Sequence, residues 1–143
     1  MGGLSAFMAQ NRKTVPNKKV VVSQQFVDEN GKPMEWEVRC ISSEENETLQ
    51  RDCVRQTPVP GKRNQYRQAV DTVLYGRKLA AACTVYPNLN DAALQDSYGV
   101  KCAEDLIVKL LDVPGEYAAY VEYLMELCAP NQSLGDLVDE AKN

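Results

Sequence analysis

Histidine is absent from the 143 residues. Its absence removes the commonest general base, the usual base of a nucleophilic triad and the commonest metal ligand. Thiols, carboxylates and lysines remain as candidates for chemistry. Cys40, Cys53, Cys83, Cys102 and Cys128 are odd in number, and no two are close in sequence. That pattern suits reduced thiols in a cytoplasmic protein and not a disulfide framework. A nucleophilic thiolate needs a base or a positive environment to lower its pKa. Cys83 follows Leu79-Ala80-Ala81-Ala82 and Cys128 follows Leu127, so both read as core packing. No cysteine spacing resembles a zinc-binding pair. Glu44, Glu45 and Glu47 open a helix, where negative charge complements the helix dipole. Asp91 and Asp96 flank a short segment near Tyr98, and their spacing leaves an acid–base or metal role as a minor alternative. No G-x-x-x-x-G-K-[ST] or G-x-G-x-x-G loop occurs. Pro60-Gly61-Lys62-Arg63 could meet a phosphate or an acidic partner, and Tyr66 with Arg67 could extend such a surface. A solvated basic turn on an acidic protein is the plainer reading. No catalytic, cofactor-binding or metal residue is therefore expected, and the chain is read as a non-enzyme.

What remains is binding surface. Seven tyrosines stand against two phenylalanines, and tyrosines with a wet edge suit interfaces. The candidate protein-binding residues are Leu4, Phe7 and Met8 near the start, Tyr86, Leu89 and Tyr98 in the middle, and Tyr123. Tyr117 and Tyr120 occupy apolar-stripe positions and read as core. The net charge of −4 argues against a duplex-binding module, so no nucleic acid is expected. Charge is nevertheless uneven. Residues 1–19 carry Arg12, Lys13, Lys18 and Lys19 with no acid, and residues 112–143 carry seven acids against Lys142. Opposed ends could meet within one molecule or head to tail between two. No signal peptide and no apolar run of membrane-spanning length is visible, so no membrane contact is expected.

The elements that must position these residues make one domain of class α+β, an N-terminal β-hairpin followed by a mainly α-helical body of five to six helices. Residues 1–17 read as a mobile or docking arm, because one short apolar turn cannot hold a helix by itself. The single domain spans 18–143, with the hairpin over 18–41 and the helical body over 42–143. Met34, Trp36, Val38 and Cys40 alternate with charged residues at the period of a half-buried strand. A three-residue loop, Glu29-Asn30-Gly31, would place Phe26 opposite Met34 and Val22 opposite Val38, with Gly31 at positive φ. Ser42 and Glu45 have capping-box spacing, for a helix ending before Thr57-Pro58. A loop follows at Pro58–Arg63, then one long helix over about 66–85 with Gly76 inside it, where close packing by another element is expected. Asn90 would cap a short helix over 91–96. Ala103, Leu106, Ile107, Leu110 and Leu111 form a helical stripe over 101–111. Pro114 opens the next helix, whose stripe is Tyr117, Tyr120, Val121, Leu124, Leu127 and Cys128. Ser133 with Asp136 suggests a last capping box.

Several strings occur together and in order: Phe26-Val27-Asp28-Glu29-Asn30-Gly31-Lys32-Pro33 with Trp36-Glu37, Ser43-Glu44-Glu45-Asn46-Glu47, and Pro58-Val59-Pro60-Gly61-Lys62-Arg63. They continue in Lys78–Asp91, Leu94-Gln95-Asp96-Ser97-Tyr98-Gly99-Val100 and the terminal Glu140-Ala141-Lys142-Asn143. Over nearly its whole length the chain resembles the XkdN-like phage tail assembly chaperones of tailed phages and PBSX-type prophages. The resemblance implies a chaperone that binds the tape-measure protein, helps recruit tail tube protein around it, and is absent from the mature virion. It implies the cytoplasm of the bacterial host as the place of action, and in many phages a longer frameshifted product as well. Self-association is a further possible property. The family has no catalytic motif to carry over. A structural minor tail component retained in the particle is the alternative.

Overall fold

The computed structural model describes residues 3–129 and 134–142. At its centre Trp36 and Val38 turn inward from a strand whose middle residue, Glu37, turns outward. This strand, β2 (Trp36–Val38), lies between β1 (Lys18–Val20) and β5 (Thr84–Tyr86) in an antiparallel sheet of order β1-β2-β5. The hairpin tip has the expected geometry. Val27 bridges Pro33, Met34 N donates to the Phe26 carbonyl at 2.7 Å, and Gly31 sits at φ 80°. At the base the register differs from expectation: Lys18 pairs with Val38 and Val20 with Trp36. The slip is an even number of residues, so Val20 and Val22 keep their side and both still pack on the core. A bend at Gln24-Gln25 takes up the extra residues. There buried Ser23 accepts from Gln25 N at 3.1 Å and donates to the Glu116 carboxylate at 3.2 Å.

The helix α1 (Ser43–Asp52) begins as its spacing predicts, with Ser42 Oγ accepting from Glu45 N and the Glu45 carboxylate accepting from Ser42 N. It ends earlier than expected, because Val54–Pro58 is a strand, β3, paired with β4 (Tyr66–Val70). The single long helix over 66–85 is corrected in three parts. Its first residues are β4. Its middle is α2 (Thr72–Cys83), started by Asp71 Oδ1 accepting from Leu74 N at 3.2 Å. Its end is β5, which finds the free edge of β2, with Arg39 N donating to the Cys83 carbonyl at 2.9 Å. The body expected to be helical thus also holds a hairpin and a sheet strand. Gly76 is buried, and a Cβ there would meet the Tyr117 hydroxyl at 3.6 Å and Val121 Cγ1 at 3.8 Å. These are ordinary contact distances.

The remaining helices are α3 (Ala92–Ser97), α4 (Ala103–Leu110), α5 (Pro114–Leu127) and α6 (Leu134–Lys142). Asp91, and not Asn90, caps α3, its carboxylate accepting from Leu94 N at 2.9 Å. The α4 stripe is buried as a block, each large side chain contributing on the order of 1.5–3 kcal/mol. It packs chiefly on α2, and it shares one core cluster with Trp36 of the sheet and with Tyr120 and Leu124 of α5. The Trp36 and Tyr120 rings lie edge to face, 5.3 Å apart at 72°. Cys128 is corrected: it is exposed, just past the end of α5. The Ser133–Asp136 box lies outside the described residues. Among those described, six α-helices and two small sheets make the α+β class.

Candidate functional site

The hairpin tip, the end of β5 and α3 converge on one side of the core. Between them opens an apolar groove of about 270 Å³. Phe26 and Met34 come from the hairpin, Trp36 from β2, Tyr86 and Pro87 from the end of β5, Leu94 and Tyr98 from the α3 region, and Leu110 from α4. Glu35 and Ser97 stand at its border. The segment between β5 and α3 is held by side chain to backbone bonds. Asn88 Oδ1 accepts from Asn90 N at 3.0 Å, and Gln95 Nε2 donates to the Leu89 carbonyl at 2.8 Å. The walls therefore stand on tied backbone. A groove with apolar walls and a few hydroxyl groups suits the apolar face of an amphipathic helix.

Tyr86 and Tyr98 both line this groove, Tyr86 being 52% exposed. Leu89 is 2% exposed and belongs to the core beneath the segment. Tyr123 is half-buried against the core and does not line the groove. Leu4 and Phe7 are 78% and 84% exposed and Met8 is also exposed, in an arm of two 3-10 turns, Gly3–Phe7 and Ala9–Asn11, that buries none of its residues. Farther along, Arg12–Val15 border a second depression of about 510 Å³ beside Cys40, Ile41 and Glu45. The structure thus brings the middle tyrosines together and leaves the arm apart from them. Sequence reasoning missed Phe26, Met34 and Leu94 as surface formers, while Trp36 and Leu110 are buried as expected and floor the groove. Phe26 and Met34 sit on the alternating apolar face of the hairpin and read as core, and only the folded tip shows that this face opens to solvent.

Electrostatics does not activate the thiols of Cys40, Cys53 or Cys83. Burial pushes the Cys83 thiol up to about 12 and raises that of Cys53. Burial, with a bond from neighbouring Cys128, pushes Cys40 up to about 11. These thiols stay protonated, the reverse of what a nucleophile needs. Glu45 is lowered to about 2, because Arg39 holds it by two bonds of 3.1 and 2.7 Å and Ser42 N adds a third. That ion pair anchors α1 to Arg39, the residue that follows β2. Among the described residues no three Cys, Asp or Glu side chains converge as metal ligands. Nor is any helix among them long and apolar enough to cross a membrane.

Known proteins are similar to this chain. The Bacillus subtilis protein YqbN is 27% identical over 140 residues, 98% of this chain and 93% of that protein. The phage-like element PBSX protein XkdN of the same organism is 26% identical over 140 residues, with the same coverage. The crystal structure of YqbN matches with a TM-score of 0.72 at 21% identity, over 90% of this chain and 97% of that one, which shows a common fold. The family model for the phage XkdN-like tail assembly chaperone protein matches residues 4–142. The chain therefore belongs to the XkdN-like phage tail assembly chaperone family.

Proposed function

We propose that the chain holds the tape-measure protein of a phage tail in soluble form in the host cytoplasm. It then passes that protein to tail tube subunits and leaves before the particle is finished. The match to a tail assembly chaperone family over 4–142 carries this reading. The groove supplies a physical means. A long helical partner exposes apolar stripes before it is enclosed, and such stripes aggregate unless covered. Phe26, Met34, Leu94 and Tyr98 offer a pre-formed apolar surface into which side chains one helical turn apart can insert. The work is capture and release, with no bond made or broken.

Co-expression with the tape-measure protein of the same phage tests this. The native chain should raise its soluble fraction and co-purify with it. Leu94→Asp places a charge in the groove and should abolish capture while leaving the far-ultraviolet circular dichroism native. An unchanged soluble fraction with no complex would refute the proposal. Stoichiometric presence of the chain in finished particles, read by mass spectrometry, would instead establish a structural tail component.

A further inference from the structure

The ribbon β3–β4 stands apart from the core. Its strands run in register from Val54 opposite Val70 to Pro58 opposite Tyr66. They pack on each other, and no other element among the described residues packs on them to a comparable extent. The root is held where Asp71 N donates to the Cys53 carbonyl at 2.7 Å and where Arg55 pairs with Asp71. The tip turns through Pro60 and Gly61, with Gly61 at φ 76° and Lys62 N donating to the Val59 carbonyl at 3.2 Å. That is the geometry a Pro-Gly pair favours. A lone two-stranded hairpin in water is marginal at best.

The ribbon is also one-signed. From Val54 to Val70 the sequence contains Arg55, Lys62, Arg63 and Arg67 and no acid. Arg55 is used at the root, and Lys62, Arg63 and Arg67 have no ion pair among the described residues. The opposite sign is equally unmatched on α5. Glu122 and Glu126 lie one turn apart on its exposed side, with exposed Met125 beside them, and Asp112 precedes the helix. None of these carboxylates is paired among the described residues either.

We infer that the ribbon of one copy docks on the α5 face of a second copy, Lys62, Arg63 and Arg67 meeting Glu122 and Glu126. Charge complementarity selects this occupant. A chain of net charge −4 repels nucleic-acid phosphate over most of its surface, whereas every copy of the chain offers the acidic face at the same concentration as the ribbon. The two surfaces differ, so the contact is heterologous. It propagates head to tail into a ring or a short helical array.

Sedimentation velocity on the full chain, over a concentration series at low and high salt, tests this. Assembly should appear at low salt and dissolve at high salt. Lys62→Glu/Arg63→Glu/Arg67→Glu should weaken the association by about tenfold or more, and Glu122→Lys/Glu126→Lys should do the same. A chain carrying both sets should associate again. All five positions are exposed. Thermal melts of both variants should therefore match the native chain, and the α5 variant tests the contact independently of the ribbon's stability. A chain that is monomeric at every concentration and salt would overturn the inference. So would association indifferent to either reversal. Binding of a labelled DNA duplex or single-stranded RNA that the ribbon reversal abolishes, with self-association unchanged, would overturn it in favour of nucleic acid.

Discussion

Thr84 Oγ1 stands 2.6 Å from the Ala80 carbonyl oxygen and 2.6 Å from the Tyr120 hydroxyl, in a buried position between β5 and α5. The carbonyl can only accept, so the single Thr84 proton goes to it. Tyr120 must then donate to Thr84. Burial supports this by raising the phenol well above its ordinary pKa, which keeps the proton in place. The two deletions are therefore unequal. Tyr120→Phe removes a donor and leaves no orphan, at a cost of about 1 kcal/mol for one net hydrogen bond. Thr84→Val removes the acceptor and strands the Tyr120 hydroxyl in the core, at about 2–3 kcal/mol. The Ala80 carbonyl keeps its bond from Thr84 N in both variants. The double variant removes the orphan too, so its cost should fall below the sum by about 1 kcal/mol. Urea unfolding followed by emission from Trp36, the chain's one tryptophan, reads this directly. The ring 5.3 Å away survives Tyr120→Phe, so the native signal is retained. A Tyr120→Phe cost above that of Thr84→Val, or strict additivity, would refute the assigned direction of the bond. The same network holds the strand that ends in Tyr86, so Thr84→Val should also weaken partner capture.

Three further outcomes are expected. Gly76→Ala should raise stability by about 0.5–1 kcal/mol in urea, because a Cβ there meets Tyr117 and Val121 only at contact distance while helix propensity improves; a loss of that size would mean that α2 and α5 cannot give way at all. The Glu45 pKa is depressed to about 2, so its contribution is present above the ordinary carboxylate pKa and is lost as pH falls through the folded value. Its side chain is 43% exposed, which limits the effect to about 1 kcal/mol, and Glu45→Gln should reduce the fall in urea midpoint between about pH 4 and about pH 2. Brief iodoacetamide treatment of the native chain should label exposed Cys128 first and leave Cys53 and Cys83 unlabelled until unfolding, as peptide mass spectrometry would show. Equal labelling of Cys83 and Cys128 would contradict the core described above.

Some of this protein could be read residue by residue because the cause is local. The Ser42–Glu45 box, the Glu29–Gly31 turn, Pro114 at a helix start and the α4 stripe each depend on side chains within one or two turns of the backbone. The absence of histidine and the ordered motifs likewise spoke directly to the kind of protein it is. The base of the first hairpin was already less legible, since a slip that preserves parity leaves the buried face unchanged and so leaves no mark on the pattern. Only the tertiary structure decided that Val54–Pro58, Tyr66–Val70 and Thr84–Tyr86 are strands. Tyr66–Val70 has apolar spacing that also suits a helix, and it becomes a strand because Val54–Pro58 lies opposite to pair with it. Thr84–Tyr86 leaves the helix because β2 has a free edge to fill. From these decisions follow the groove, where core-type residues reach the surface, and the ribbon, where cations spread along the sequence are gathered on one hairpin. The physical reason is that a helix bonds to itself, whereas a strand is completed by residues far away in the chain.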